Sequence, residues 1–276
     1  MGLTRDETGR LHIETSLMGE SLMDKHLQAG TETEAVFRAL PNVNVTKIGG
    51  QSIIDRGRQV VLPLIDELVQ SRADYDLLVT TGGGTRSRHA YAIGLDLGMP
   101  TGVLAKLGSS VSEQNALMLS MLLAPHGGLK IGHDDLMKLP LYLSLGRIPV
   151  MHAMPPYGMW EEPPERGRIP PHRTDSGTFL TAEVIGTRRC ILVKDERGLY
   201  TADPKKDPDA DFIPEIEVRE LLAMDLEDLG VERSMLRALV NADNVTEVLV
   251  INGREPGNLA RALAGENPGT RIYRGE

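Results

Sequence analysis

Strand-like and helix-like segments alternate from residue 42 onward, and glycine clusters follow two of the strands at once. Together these patterns predict an α/β fold with a mostly parallel sheet covered by helices on both faces. The chain has 276 residues, with only three Phe, six Tyr and one Trp, so its core must be aliphatic. Twenty-nine glycines imply many tight turns.

Each element is justified in order by its pattern. Residues 1–40 read as an extension: mixed polar residues, several Met and no clear strand. Within it, Leu17, Met18, Leu22, Met23 and Leu27 recur at near-helical spacing over 16–28, which fits a short amphipathic helix, a frayed tail or an arm packed on another subunit. A single domain is expected over 41–276. NVNVTKIGG (42–50) alternates apolar and polar residues and ends in two glycines, so it reads as strand then turn. Val60, Val61, Leu64, Ile65, Leu68 and Val69 give residues 55–72 a helical period. DLLVTT (76–81) is a short strand, followed by GGG (82–84) and a helix over 85–98 that closes at Gly98 with Pro100 beyond it. Another helix is expected over 111–128 and a buried strand over 147–153. Six prolines in the seventeen residues 155–171 exclude helix and central strand. The Pro-rich loop, taken as 154–172, is long enough to be functional or mobile. Beyond it the pattern predicts a helix near 175–186, a strand at 190–195, a turn-rich stretch over 196–212 and helices near 217–224 and 233–242. A strand (246–252), a helix (256–266) and a strand (270–273) close the domain.

Thirty basic against thirty-nine acidic residues give a net charge of -9. That argues against general nucleic-acid binding, which needs a basic face, but leaves room for a locally positive site for small anions. One cysteine, Cys190, excludes an internal disulfide and a Cys-built metal site. A cytoplasmic location is expected. No apolar run approaches the roughly 20 residues of a membrane span, and the polar start carries no signal-peptide pattern.

In parallel sheets, ligands sit at the carboxyl ends of the strands, and both glycine clusters fall there. Lys47-Ile48-Gly49-Gly50 presents backbone N–H donors and a nearby positive charge; an ordinary turn with a snorkelling lysine fits it as well. Thr80-Thr81-Gly82-Gly83-Gly84-Thr85 repeats the arrangement, with Arg86, Arg88 and His89 at the helix start, where negative charge is favoured. Neither cluster is a Walker A loop or a G-x-G-x-x-G turn. Two in sequence point to phosphate or oxyanion binding. In Arg173-Thr174-Asp175-Ser176-Gly177, Asp or Thr either caps the helix or the aspartate orients the anchoring lysine or holds a divalent cation near phosphates. Residues 194–206 (KDERGLYTADPKK) form a turn whose aromatic residue, Asp-Pro and lysines also suit a base and its phosphates.

The stretches KIGG (47–50), TTGGGT (80–85), RTDSG (173–177), VKDERGLYTADPKKDP (193–208) and VINGREPGNLARALAGENPGT (250–270) resemble the amino-acid kinase superfamily, bacterial uridylate kinases in particular. The resemblance covers about 42–273. It implies a three-layer αβα sandwich, ATP with magnesium (Mg2+), in-line phosphoryl chemistry held by glycine loops and a lysine, and a hexamer. KIGGQSIIDRGR (47–58), GVLAKLGSSVSEQNALML (102–119), MPPYGMW (154–160), IPPHRTDSGTFLTAE (169–183) and PGNLARALAGE (256–266) are more closely similar to the molybdenum storage proteins, beta-type subunits above all. That family keeps the kinase fold and uses ATP to deposit molybdate or tungstate as polynuclear oxide clusters in a hollow hexameric cage.

Carried over by position, the resemblance assigns Lys47, Gly49, Gly50, Gly82, Gly83, Gly84, Thr174 and Asp175 to phosphates and magnesium, with Lys47 and Asp175 as the catalytic pair. It places Lys194, Gly198, Tyr200, Asp203, Pro204 and Lys205 around the nucleotide. Uridylate kinases approach their threonine–aspartate motif through a phenylalanine; here the approach is IPPHRTD. Alpha-type storage subunits carry a histidine run after PPY; here Gly158, Met159 and Trp160 stand there. The chain is thus expected to assemble with itself or with a paralogous alpha-type subunit. His126, His133 and His152 are the candidate oxide-cluster ligands, since imidazole can coordinate a metal centre or donate to oxide; surface or satisfied core histidines are the plain alternative. Gln114 and Asn115 either line the cavity or lie on an exposed helix face. Three functions are open: ATP-driven storage of molybdate or tungstate, phosphoryl transfer to UMP or another small acceptor, and nucleotide binding without chemistry beside a catalytic partner.

Overall fold

A computed structural model describes residues 3–5, 7–13, 22–29 and 36–275. It divides into two compact units, Met1–Phe37 and Arg38–Glu276.

In the first unit, β1 (Leu3–Arg5) pairs antiparallel with β2 (Leu11–Ile13), and α1 spans Lys25–Ala29. The hairpin corrects the expectation of no strand here. Three-residue strands are too short to show a period, and Gly9, with φ +84°, allows the turn between them. Of the helix expected over 16–28, residues 16–21 lie outside the described residues.

The second unit is built on an eight-stranded sheet. Its strands are β3 (Val43–Ile48), β4 (Asp76–Thr81), β5 (Gly128–Lys130), β6 (Ile148–His152), β7 (Arg189–Lys194), β10 (Glu215–Glu217), β11 (Glu247–Asn252) and β12 (Thr270–Tyr273). The order is β10-β12-β11-β7-β3-β4-β6-β5. Six neighbours from β11 to β5 run parallel; β12 turns antiparallel to β11, and β10 follows β12. A separate hairpin pairs β8 (Leu199–Tyr200) with β9 (Phe212–Ile213).

Residues alternate between two apolar faces, as a doubly covered sheet requires. Val43, Val45, Cys190, Leu192, Val248 and Val250 pack toward α6 (Thr174–Ile185), α7 (Val218–Ala223) and α8 (Arg233–Val240). Ile48, Ile191, Val193, Leu249 and Ile251 pack toward α2 (Arg58–Ser71), α4 (Thr101–Leu123) and α9 (Asn258–Ala264). This is the three-layer αβα arrangement, with a mostly parallel central sheet.

Helix α4 starts ten residues before the expected 111 and ends at Leu123 rather than 128. Gly102 and Gly108 weaken its first half as a sequence signal. Both have packing reasons: a Cβ at Gly102 would lie 2.1 Å from the Met159 carbonyl oxygen, and one at Gly108 would lie 2.1 Å from the Tyr91 hydroxyl. Pro125 and Gly127 (φ +87°) end the helix. The sequence reading also missed β5, β10 and α5 (Leu139–Ser144). Each is six residues or shorter, and α5 opens with Pro140.

Candidate functional site

Strands β3, β4 and β7 deliver their carboxyl ends to one cleft, and α6 points its amino end into it. One part of it is a cavity of about 340 Å³ walled by Lys47, both glycine clusters, the 173–175 turn, Lys194 and the 229–232 segment. A second hollow of about 290 Å³ shares Arg88, Lys194, Asp195, Leu229 and Gly230 with it, and extends along Gly198, Tyr200, Asp203, Pro204 and Lys205. The structure therefore brings together every nucleotide-site residue expected from the sequence.

The two glycine loops lie backbone against backbone. A Cβ on Gly50 would fall 2.1 Å from the Gly84 nitrogen, and one on Gly82 would fall 2.7 Å from the Gly50 nitrogen. The Gly49 N–H donates to the Val193 carbonyl at 3.0 Å, and the Gly82 N–H to the Ile48 carbonyl at 3.0 Å. Among the described residues, nothing accepts from the N–H of Gly50 or Gly83. Two unpaired donors in a cavity also lined by Lys47 and Lys194 match a phosphate oxygen in charge and hydrogen bonding.

The charged centre is Lys47–Asp175–Lys194. The Lys47 ammonium donates to Asp175 Oδ1, and the Lys194 ammonium lies 3.0 Å from Asp175 Oδ2. The side chains of Lys47 and Asp175 are 6% and 4% exposed, so the pair is dry. Burial alone would raise the Asp175 carboxyl; Lys194 and Lys47 outweigh it and hold it well below the usual carboxylate range. Burial pushes the Lys47 ammonium down, and Asp175 opposes that push. Among the cap, lysine-orienting and cation-holding readings of Asp175, the two ion pairs fit the lysine-orienting one.

Neither Thr174 nor Asp175 caps α6. Glu232, which precedes α8, does so from across the cleft. Its carboxylate accepts from the N–H of Arg173 (2.9 Å), Asp175 (3.0 Å) and Ser176 (3.1 Å), and from Ser176 Oγ (2.7 Å). Its own N–H donates to Asp175 Oδ2 at 3.2 Å. Asp55 does the same for α3 (Gly84–Asp96), accepting from the Thr85 N–H at 2.6 Å. Both helix amino ends at the cleft are thus already met by carboxylates. Arg86 turns away to Gln114 and Asn115, whereas Arg88 lines both hollows. Asn115 is buried and donates to the Gly82 carbonyl; Gln114 is exposed.

In the second hollow, Tyr200 meets Phe212 edge-on, with ring centres 5.6 Å apart. Lys205 pairs with Asp195 (3.1 Å) and Glu196 (3.0 Å). A Cβ on Gly198 would lie 2.2 Å from Thr270 Oγ1, so this glycine is needed for packing as well.

His133 and His152 sit together, ring centres 4.5 Å apart and nearly perpendicular. His152 ends β6 beside Thr81 of β4, one residue from the second glycine cluster. Burial and then His133 push the His152 imidazole down to about 4, and burial lowers His133. Lys130 and Glu113 pair nearby at 2.6 Å. His126 is exposed and precedes the amino end of β5, whereas His133 follows its carboxyl end, so the strand separates them. Among the described residues, no group of three or more His, Cys, Asp or Glu converges as a metal site.

Sequence reasoning missed Glu232, Ser176 and Tyr91. Glu232 is 57 residues from Asp175 in the chain, and only the packing of α8 against α6 brings them together. Tyr91 shows in the sequence only as one apolar position of α3; buried in the cavity wall, its hydroxyl is pushed up to about 12 by burial.

A family model described as "Amino acid kinase family" matches residues 42–252. The chain is 53% identical over 260 residues to the molybdenum storage protein subunit beta of Azotobacter vinelandii, covering 94% of this chain and 96% of that protein. It is 29% identical to a uridylate kinase of Methanothermobacter thermautotrophicus, over 80% of this chain and 95% of the relative. Among solved structures, uridylate kinase from Archaeoglobus fulgidus superposes with a TM-score of 0.64 at 21% identity, covering 83% of this chain and 99% of that one. UMP kinase from Bacillus anthracis gives 0.65 at 18%, with 86% and 98% covered.

Proposed function

Because the chain belongs to the amino acid kinase family and is kin to the molybdenum storage protein subunit beta, we propose that it binds ATP and uses it to store molybdenum or tungsten. The observation that carries this reading is the likeness to the storage subunit across nearly the whole chain, supported by a cleft that gathers both glycine loops, Lys47, Asp175 and Lys194.

In this reading the triphosphate lies across the two hollows. Tyr200, Asp203 and Pro204 flank the nucleoside, and the unpaired N–H groups of Gly50 and Gly83 take phosphate oxygens. Lys47 and Lys194 face the phosphoryl group that leaves, and Asp175 keeps both ammonium groups in place while charge builds on the transferring oxygens. Magnesium, when bound, neutralises phosphate charge. Among the described residues no group of three or more His, Cys, Asp or Glu converges, so it would be held largely by phosphate oxygens and water, with Asp175 the carboxylate of this chain offered to it.

Molybdate or tungstate is the cargo, built into polynuclear oxide clusters inside an oligomeric cage, a hexamer of this chain alone or with an alpha-type partner. Two features support this. The neutral His133–His152 pair next to the cleft offers imidazole nitrogens to oxide. Leu117, Met118, Met121 and Leu122, on one side of α4, are exposed apolar side chains suited to another subunit. Among the described residues, no helix is long and apolar enough to cross a membrane.

The test is elemental analysis by mass spectrometry after incubation with ATP, magnesium and molybdate, then desalting. Many molybdenum atoms per chain, only with ATP, are expected. Less than one per chain would overturn storage and make phosphoryl transfer to UMP, the activity named in the uridylate kinase relatives, the next reading to assay.

A further inference from the structure

The segment 228–232 runs along both hollows, which also share Arg88, Lys194 and Asp195. Leu229 and Gly230 line both, Asp228 lines the nucleoside half, and Val231 and Glu232 line the phosphate half. It is tied at both ends. Asp228 pairs with Lys206 at 2.7 Å, on the loop that carries Asp203, Pro204 and Lys205. Glu232 grips the first turn of α6 through three backbone N–H groups and the Ser176 hydroxyl, and its own N–H reaches Asp175 Oδ2. Ser176 Oγ also lies 2.7 Å from Ser234 Oγ, whose one proton is shared between Ser176 and the Pro171 carbonyl 2.6 Å away.

A carboxylate with this many donors is rigid, since each charge-assisted bond fixes its direction. Its position decides where the α6 turn sits. That turn decides where Asp175 aims its oxygens, and Asp175 holds both lysines. We propose that Glu232 is a positioning residue that couples nucleoside contact at the 199–206 loop to the alignment of Lys47 and Lys194 on the phosphates. Glu232 itself touches no phosphate; it acts through Asp175. The inference rests on the ATP-using reading above.

The experiment compares wild type with Glu232→Gln, in steady-state ATP turnover and in ATP binding by calorimetry. Glutamine keeps the size but offers one acceptor oxygen and brings an NH₂ among N–H donors. The expected result is a kcat lower by about 10- to 100-fold, with the ATP KM and Kd within about threefold of wild type. Glu232→Asp, which keeps the charge at shorter reach, is expected to recover part of kcat. Should Glu232→Gln not fold, Ser176→Ala removes the hydroxyl contacts to Glu232 and Ser234 while leaving the three backbone N–H bonds in place, and is expected to lower kcat with KM unchanged. Hydrogen exchange adds a second readout: ATP is expected to slow exchange at the Asp175 and Ser176 amides in wild type and to do so much less in Glu232→Gln.

A lower melting temperature with unchanged kcat and equal ATP-induced protection would reduce Glu232 to a helix cap and overturn the proposal. A wild-type protein that binds ATP without turning it over leaves the exchange readout to decide. A wild-type protein that does not bind ATP overturns the ATP-using reading, and this one with it.

Discussion

Lys47 is a buried ammonium whose loss of solvent is opposed by Asp175 and, more weakly, by Glu232, and that makes it sensitive to both substitution and pH. Lys47→Ala is expected to lower ATP turnover by roughly 10²–10³, the cost of one transition-state donor; turnover within about threefold of wild type would remove it from that role. Since burial lowers the Lys47 ammonium, the alkaline limb of a kcat–pH profile should lie below the ordinary lysine range. Asp175→Asn deletes the opposing negative charge, which disfavours the charged lysine and moves that limb to still lower pH. His152 gives a stability prediction of opposite origin. Its native imidazole is held near 4, below the unfolded value of about 6.5. The unfolded chain therefore takes up a proton that the native state refuses. The contribution present above about 6.5 is lost as pH falls toward 4, on the order of 1–2 kcal/mol after solvent screening. His152→Gln should flatten the acid side of a melting-temperature profile; an unchanged slope would place the sensitivity elsewhere. At this scale the sequence exposes Lys47 and Asp175, because each abuts a strand end or a helix start. It hides Glu232, whose neighbours in the chain carry no sign that its partners lie on another helix.

Secondary-structure elements obey the same physics with a different grain. The glycine loops work because nothing projects between them. Gly50→Ala would push a methyl into the Gly84 backbone, which cannot rotate away as a side chain can. A loss of about 1–3 kcal/mol is expected, read as a melting temperature lower by several degrees, together with ATP binding weakened at least about tenfold. Gly57→Ala is the control. Open space surrounds that Cβ, but φ +68° with ψ -153° is a conformation essentially reserved for glycine, so backbone strain of about 1–3 kcal/mol is expected with ATP binding retained, and binding is what separates the two variants. Equal effects of the two on ATP binding would mean that loop contact is not what matters. The long periodic helix α2 is legible from its apolar spacing, and the short strand β4 from its apolar run ending in three glycines. The first half of α4 was not, since its glycines serve Met159 and Tyr91, contacts that no local pattern records. The three-residue strands β5 and β10 owe their pairing to neighbours made hundreds of atoms away along the chain.

For the whole molecule, the alternation of elements and the position of the glycine clusters suffice for a parallel sheet with ligands at its carboxyl edge. Assembly is less legible, because apolar residues on α3 and α4 look like core positions until the structure leaves them outside. Met121→Glu is expected to shift the mass measured by light scattering from a multimer toward a smaller species, with ATP binding retained; an unchanged mass would free α4 from the contact. The sheet itself ends at both sides in three-residue strands, β10 and β5. Strands so short offer little backbone to template an incoming chain. Crowded copies of this protein can therefore meet through helices without seeding fibrils, so dense packing in a cell need not come at the expense of solubility.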